Sequence, residues 1–341
     1  MVTGSLVAEE RIVAIPASRT VSREAVFACE DLRYAYLERF PALDGVSFTV
    51  HRGERVALLG ANGCGKSTLL KILDGLLFAD TGAFRAFGQP VTADDLEDEQ
   101  FSMGFRSRVG FIFQNADAQV FSPTVRKEVA FGPLQLGWPV KKVERRIDDV
   151  LAMLDIADLA ERAPYQLSGG EKKRVAIASV LVMNPEVLLF DEPTAALDPR
   201  TQQWLVDLIA ELGRAGKTIV MATHDLDVLD VVADRCLVFS EDHRIVAEGP
   251  PDTIMRDREL LLKVNLIHDH SLAHVPRRNP NEEWETMIDP VCGMEVDEDS
   301  AAGAWDHAGA TYYFCSIPCL ERFKADPERF LALSPDERSM G

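Results

Sequence analysis

The chain of 341 residues lacks any apolar run long enough to cross a bilayer. Its most apolar stretches, such as Val187–Phe190 and Ile219–Ala222, have the length of strands. No basic segment followed by a long apolar one stands near Met1, so a secretory signal is not expected and the cytoplasm is the expected compartment. Positive charge is scarce: 36 Lys and Arg stand against 55 Asp and Glu, a formal net charge of −19. The phosphates of nucleic acid, and anionic lipid, would repel such a surface. Work at a membrane then requires a protein partner to hold the chain there. The six cysteines do not make a disulfide framework in a cytoplasmic chain of this size. Cys29, Cys64 and Cys236 are scattered and read as small core or loop residues. No internal repeat and no low-complexity tract is present.

An apolar content of 47% supports a buried core, and the length suggests about two domains. Residues 1–25 read as a tail. From Val26 onward short apolar strands alternate with amphipathic helices, the pattern of an α/β domain with a largely parallel sheet, and this unit is assigned to residues 26–270. Strands are expected at Val46–Val50, Arg55–Leu59, Val109–Phe113, Val187–Phe190, Thr218–Ala222, Cys236–Phe239 and Arg244–Ala247. Helices are expected after Lys66 and at Val140–Leu154, Glu171–Met183 and Thr201–Ala215. The polar segment 271–285, with Pro276 and Pro280, reads as a linker. His268, His270 and His274, beside it, read as solvated. Residues 286–335 form a small cysteine-bearing unit, and 336–341 a tail.

The strand Arg55–Leu59 runs into Gly60-Ala61-Asn62-Gly63-Cys64-Gly65-Lys66-Ser67-Thr68, a complete G-x-x-x-x-G-K-S pattern between strand and helix. Gly60, Gly63 and Gly65 let the backbone curl so that N–H groups, including those near Asn62 and Thr68, point at phosphate. The helix N-terminus adds partial positive charge. Lys66 is expected at the β- and γ-phosphates of ATP, and the Ser67 hydroxyl on Mg²⁺. Val187–Phe190 ends in Asp191-Glu192, at the sheet edge where α/β folds bind ligands. Asp191 is expected to hold Mg²⁺ through water, and Glu192 to polarise the attacking water as a general base.

Between these two sites lies Leu167-Ser168-Gly169-Gly170-Glu171, followed by Lys172-Lys173-Arg174-Val175-Ala176-Ile177-Ala178. The stretch resembles the signature motif of ABC ATPases. Gln114 matches their Q-loop, Ala196-Leu197-Asp198 their D-loop, and His224 their switch histidine, all in family order over about residues 26–264. The resemblance implies an ABC-type fold: a RecA-like core, an antiparallel β subdomain and an α-helical subdomain. It implies ATP hydrolysis by two such domains facing head to tail, as a homodimer or a heterodimer. Each ATP would lie between Lys66 and Ser67 of one copy and Ser168, Gly169 and Gly170 of the other. Gln114 would join Ser67 and Asp191 on Mg²⁺, His224 would contact the γ-phosphate, and Asp198 would couple the two sites. Tyr36 aligns with the aromatic that stacks on adenine, with Tyr34 as the alternative.

Phe113-Gln114-Asn115-Ala116-Asp117-Ala118-Gln119-Val120-Phe121, then Thr124-Val125 and Val129-Ala130-Phe131-Gly132-Pro133, resembles the energy-coupling factor (ECF) importer ATPases. Leu167–Ala178 resembles their cobalt and nickel branch. The resemblance implies integral membrane transport subunits as partners, a place on the cytoplasmic face of the membrane, and import of a transition metal. A vitamin importer and a non-transport ABC ATPase are the other readings. The latter usually carries two nucleotide domains in one chain, where this chain has one. Gln119 and Phe121 lie where a coupling helix of the membrane partner would dock.

Cys315 and Cys319 lie four residues apart, one helical turn, so both thiolates can face one ion. An intervening hairpin, turning near Gly309, can bring Cys292 to them. Soft thiolates favour Zn²⁺, Cu⁺ or similar ions over Mg²⁺. A closed zinc site takes four ligands, and the fourth place is open to His307, Asp289, Met294 or solvent. Asp289-Pro290-Val291-Cys292-Gly293-Met294, Tyr312–Cys319, Phe323 and Asp326-Pro327 resemble the YHS domain, a small α+β metal-associated module. Tyr313 stands where that family often has histidine.

Overall fold

Val56–Leu59 contains no polar and no exposed residue, and it forms the heart of a parallel sheet. A strand covered on both faces requires such a continuous apolar run. The computed structural model describes residues 24–267, 287–292, 295–296, 301–308, 310–315 and 317–331. Contacts divide the chain into two units, Met1–His268 and Asp269–Gly341.

The first unit begins with β1 (Ala25–Tyr36), β2 (Phe40–His51), β3 (Arg55–Leu59), α1 (Lys66–Leu73), β4 (Thr81–Ala86) and β5 (Gln89–Pro90). There follow α2 (Ala93–Glu97), α3 (Glu99–Arg108), β6 (Val109–Ile112), α4 (Val125–Gln135), α5 (Val140–Met153) and α6 (Gly169–Leu181). The unit continues with β7 (Val187–Asp191), α7 (Pro199–Arg214), β8 (Thr218–Thr223), α8 (Leu229–Val232) and β9 (Arg235–Phe239). It ends in β10 (Ile245–Gly249), α9 (Pro251–Arg256) and α10 (Arg258–Lys263).

Strand order in the main sheet is β10, β9, β3, β8, β7, β6, and every neighbouring pair is parallel except β9 with β10. Side chains alternate between its faces: Leu188 and Phe190 enter one core cluster, Val187 and Leu189 another. A second, antiparallel sheet has the order β2, β1, β4, β5. The helices α4, α5 and α6 pack as a third body. Along α5, Val143, Ile147, Val150 and Leu151 are buried, the i, i+4, i+7, i+8 stripe of a helix with one apolar face. The RecA-like core, antiparallel β subdomain and helical subdomain expected of an ABC-type α/β fold are all present.

Most expected elements shift by one or two residues at an end, and two strand starts have an evident cause. The strand expected from Val46 begins at Phe40, because β2 pairs with the whole of β1, which the periodicity did not reveal. The pairing of β1 slips where Asp31 takes φ +47, and this breaks the alternation. The strand expected from Arg244 begins one residue later, because the turn before it closes at Arg244, whose carbonyl accepts from the Ser240 N–H while the His243 N–H donates to the Ser240 carbonyl.

The second unit pairs β11 (Met287–Ile288) with β12 (Glu295–Val296), and β13 (Gly303–His307) with β14 (Ala310–Phe314). Then come α11 (Ile317–Ala325) and α12 (Pro327–Leu331). Phe323 is fully buried, with Tyr312, Phe314 and Phe330 around it. Most of the tail expected at 1–25, the linker 271–285, the end segment 336–341, and His268, His270, His274, Met294 and Gly309 lie outside the described residues.

Candidate functional site

Three parallel strands deliver the site at their carboxyl ends. Leu59 of β3 is level with Thr223 of β8, and Asp191 of β7 with Ala222. The loop after β3, the acids ending β7 and the histidine after β8 therefore meet at one sheet edge. Gly65 caps α1 at φ +110, and a Cβ there would stand 2.1 Å from the Ala42 carbonyl oxygen. Only glycine allows both that conformation and that approach. Cys64 is buried behind the loop, and burial pushes its thiol pKa up against the pull of Lys66, so it is an inert packing residue.

Lys66 is 5% exposed. Its ammonium donates to the carbonyls of Gly60 at 2.7 Å and Ala61 at 3.1 Å, and lies 3.5 Å from Oε1 of Glu192. The Ser67 hydroxyl donates to Oδ1 of Asp191 at 2.7 Å. His224 Nδ1 lies 2.8 Å from Oε2 of Glu192. Glu192 is itself buried, and its Oε1 has no hydrogen bond among the described residues. The residue takes φ +41, a strained conformation for a side chain of this kind, and such strain clusters at functional sites. An orphaned carboxylate oxygen beside a lysine and a hydroxyl–carboxylate pair suits Mg²⁺ and a polarised water.

Lys66, Ser67, Glu192 and His224 border a cavity of about 500 Å³, lined also by Tyr36, Asn62, Gly63, Gly65, Thr68 and Gln114. The Tyr36 hydroxyl is 3.2 Å from Oγ1 of Thr68, and the residue is 39% exposed. Tyr34 packs edge-on to Tyr36 but faces another cavity, so Tyr36 is the aromatic placed at the phosphate loop. Phe40, opposite Tyr36 in the hairpin register, lines the same wall. Sequence reading missed it, and the signal that could have found it is an aromatic just after a hairpin turn whose first arm carries Tyr36.

A separate cavity of about 840 Å³ holds Ser168, Gly169, Gly170 and Asp198. The two cavities share no lining residue. Ser168 caps α6 in a capping box with Glu171: the Ser168 N–H and hydroxyl both donate to Oε2 of Glu171, at 2.7 and 2.8 Å. Those bonds, the backbone one foremost, hold the Glu171 carboxyl below its ordinary pKa. Asp198 caps α7 by accepting from the N–H groups of Arg200 and Thr201 and from the Thr201 hydroxyl. The Thr201 bonds hold its pKa down. Gln119 faces inward: it accepts from the Phe113 N–H and donates to the Ala176 carbonyl. Phe121 is 67% exposed and stacks edge-on with Phe131.

In the second unit, Asp289, Cys292, Cys315 and Cys319 each offer a donor atom within 4.8 Å of the others. The Cys292 and Cys315 sulfurs are 3.4 Å apart, those of Cys315 and Cys319 3.8 Å. The expected helical turn does not explain the second pair. Cys315 follows β14 and Cys319 sits in α11, so a strand-to-helix junction joins them. His307 lies outside the group, its ring edge-on to Phe323. Asp289 is fully buried, accepting from the N–H of Val291 at 2.8 Å and of Cys315 at 2.9 Å. Burial raises its pKa, but these backbone bonds prevail and leave it below the ordinary value. Three thiols and a carboxylate make a donor set suited to a thiophilic ion.

Comparison with known proteins agrees with this geometry. The ABC transporter family matches residues 43–195 and the YHS domain residues 287–333. The nickel import ATP-binding protein NikO of Rhodobacter capsulatus is 46% identical over 244 residues, covering 71% of this chain and 95% of that protein. The energy-coupling factor transporter ATP-binding protein EcfA2 of Methanospirillum hungatei is 42% identical, covering 71% of this chain and 60% of that one. Among solved structures, cbiO1 from Clostridium perfringens, described as part of the ABC transporter complex cbiONQ, superimposes with a TM-score of 0.61 at 36% identity. The match covers 71% of this chain and 95% of that one. The chain therefore belongs to the ABC transporter ATP-binding family: it is an ATPase using ATP and Mg²⁺, and it carries a YHS domain in its C-terminal region.

Proposed function

We propose that this ATPase drives import of a transition-metal ion, cobalt or nickel, through an ECF-type transporter. The observation that carries the hydrolytic part is the meeting of Lys66, Ser67, Glu192 and His224 at one cavity, with Asp191 bonded behind Ser67 and one Glu192 oxygen without a hydrogen bond among the described residues. Lys66 and the loop N–H groups, with Gly60, Asn62, Gly63, Gly65 and Thr68, hold the phosphates, while Tyr36 and Phe40 wall the adenine. Ser67, Gln114 and Asp191 would hold Mg²⁺, which neutralises charge on the β- and γ-phosphate oxygens when bound. Glu192 orients a water toward the γ-phosphorus and takes its proton as the bond to the β-phosphate oxygen breaks. His224 fixes the Glu192 carboxylate and reaches the γ-phosphate.

Ser168, Gly169 and Gly170 head α6 in a cavity that shares no lining residue with that of the phosphate loop, so they serve a second copy's nucleotide. The helix N-terminus there suits an anion. Asp198, in the same cavity, links the two sites. No helix among the described residues is long and apolar enough to cross a membrane. Membrane subunits hold the ATPase pair at the cytoplasmic face, and the exposed Phe121–Phe131 pair supports a docking contact there.

Metal as the cargo is supported by the nickel import relative and by the thiol cluster of the second unit. There Cys292, Cys315, Cys319 and Asp289 would hold Zn²⁺ or another thiophilic ion and so sense or bind metal beside the transporter. The test is uptake in cells that lack the chain but keep its membrane partners. Restoring the chain should restore accumulation of nickel or cobalt, and Lys66→Ala should not. Restored uptake of a vitamin without metal would replace the cargo. Removal of residues 280–341 with unchanged metal uptake and unchanged dependence on ion concentration would strip the module of its role.

A further inference from the structure

Among the described residues of the ATPase unit, the most deeply buried cation is neither at the phosphate loop nor in an ion pair. Lys173, in the second turn of α6, is 2% exposed. Burying an ammonium away from water is unfavourable unless its donors are satisfied, and an apolar side chain would fill the same volume at less expense. Its Nζ donates to the carbonyl of Phe113 at 2.9 Å and to that of Gln114 at 3.2 Å. Burial draws its pKa down to about 8, against the smaller opposing pull of the Asp191 carboxylate.

A second link reinforces the first. The Phe113 N–H donates to Oε1 of Gln119, whose amide donates to the Ala176 carbonyl, three residues along α6 from Lys173. Both polar groups of Phe113, the residue before Gln114, are thus tied directly or through one side chain to α6. The same helix begins at Ser168, in the other cavity. One rigid turn therefore separates the cap that faces one cavity from the ammonium that holds the backbone of Gln114 in the other.

We infer that Lys173 is a positioning residue for hydrolysis: it fixes the Gln114 backbone to α6, so that the placement of the Gln114 side chain follows the position of the Ser168 cap. The inference rests on the reading of Gln114 as a group that acts on Mg²⁺ and water. It assigns the charge at Lys173 a task that volume and packing do not require. Phosphate contact at Ser168 in the assembled pair would then set Gln114 in the same subunit's own site.

The test uses the full chain and four variants: Lys173→Met, Lys173→Gln, Gln114→Ala, and Lys173→Met with Gln114→Ala. Lys173→Met should lower kcat at least tenfold with KM for ATP within threefold. It should raise amide hydrogen exchange over residues 112–120 without nucleotide, leaving the rest of the unit unchanged. In the Gln114→Ala background it should lower kcat less than twofold further, because both changes remove one function. Lys173→Gln keeps N–H donors on a shorter reach and should fall between; if Lys173→Met does not fold, the same comparison is made with this variant. A kcat within twofold of the parent, or independent multiplication of the two effects, overturns the inference while leaving Gln114 its role. A normal kcat in Gln114→Ala alone overturns the role of Gln114 and this inference with it.

Discussion

Glu192 reaches His224 with one carboxylate oxygen, at 2.8 Å, and leaves the other buried beside Lys66 without a hydrogen bond among the described residues. In the proposed mechanism the pair is an anchored base: the histidine fixes the carboxylate and the second oxygen is available to water. Glu192→Gln keeps the shape and a hydrogen bond to His224 but removes the basic oxygen. It should bind ATP normally and lose about 10²–10⁴-fold in turnover, the usual share of a general base. Because the product is not formed, ATP should hold two copies together. Turnover assays with size-exclusion chromatography in ATP and Mg²⁺ measure both, and near-normal hydrolysis would remove the base assignment.

At the other cavity the Ser168 hydroxyl is engaged by a carboxylate, Glu171. That arrangement caps α6 well and also sets a negative charge beside the place assigned to a phosphate. Glu171→Gln preserves the capping box, since Gln serves equally at that position, and removes the charge. ATP-driven assembly of the chain should then need roughly threefold less ATP, a modest effect because the group is exposed and screened. The comparison is made in the Glu192→Gln background, by light scattering against ATP concentration. Weaker assembly would show that the carboxylate helps the contact. Ser168→Ala should weaken assembly in either case.

Legibility in the sequence followed the range of each interaction. The loop Gly60–Thr68 was readable because its conformation and its chemistry come from the same nine residues. Asp191 and His224 were readable as the ends of apolar strands, since strand ends in a parallel sheet converge on one edge. Phe40 and Lys173 were not: one depends on a hairpin register, the other on carbonyls some 60 positions away in the chain. β1 escaped because the irregularity at Asp31 interrupts its alternation. Spacing of four between Cys315 and Cys319 correctly implied nearby sulfurs but not the junction that brings them together.

The thiol cluster supplies a third expectation. The Cys315 sulfur lies 3.4 Å from that of Cys292 and 3.8 Å from that of Cys319, and the Cys315 N–H is held by the buried Asp289. Cys315→Ser should purify with no zinc or other thiophilic ion where the parent carries about one per chain. ATP turnover should stay within twofold, because the residues assigned to hydrolysis all lie in the first unit. Metal analysis by mass spectrometry, with the turnover assay beside it, gives the result. Equal metal in both proteins would remove the site.

Glu186 lies at the opposite end of β7 from Asp191, where it binds Arg108 at 2.6 Å and also contacts Arg52. The Arg108 bond, opposed by partial burial and aided by Arg52, draws its pKa from 4.5 to about 2. A carboxyl whose folded pKa lies below its unfolded one stabilises the fold fully above the unfolded value, and that contribution is lost as pH falls toward the folded value. The side chain is about a third exposed, so solvent screening limits the contribution to about 1 kcal/mol. Glu186→Gln should therefore be less stable by that amount at pH 7. The difference should hold down to about pH 5 and close between pH 4.5 and about 2. Urea unfolding of parent and variant across this range measures it. The site at the other strand end is untouched by this change, so ATP turnover at pH 7 and 25 °C should be equal in the two proteins, separating an ion pair that holds the strands from the groups that use them.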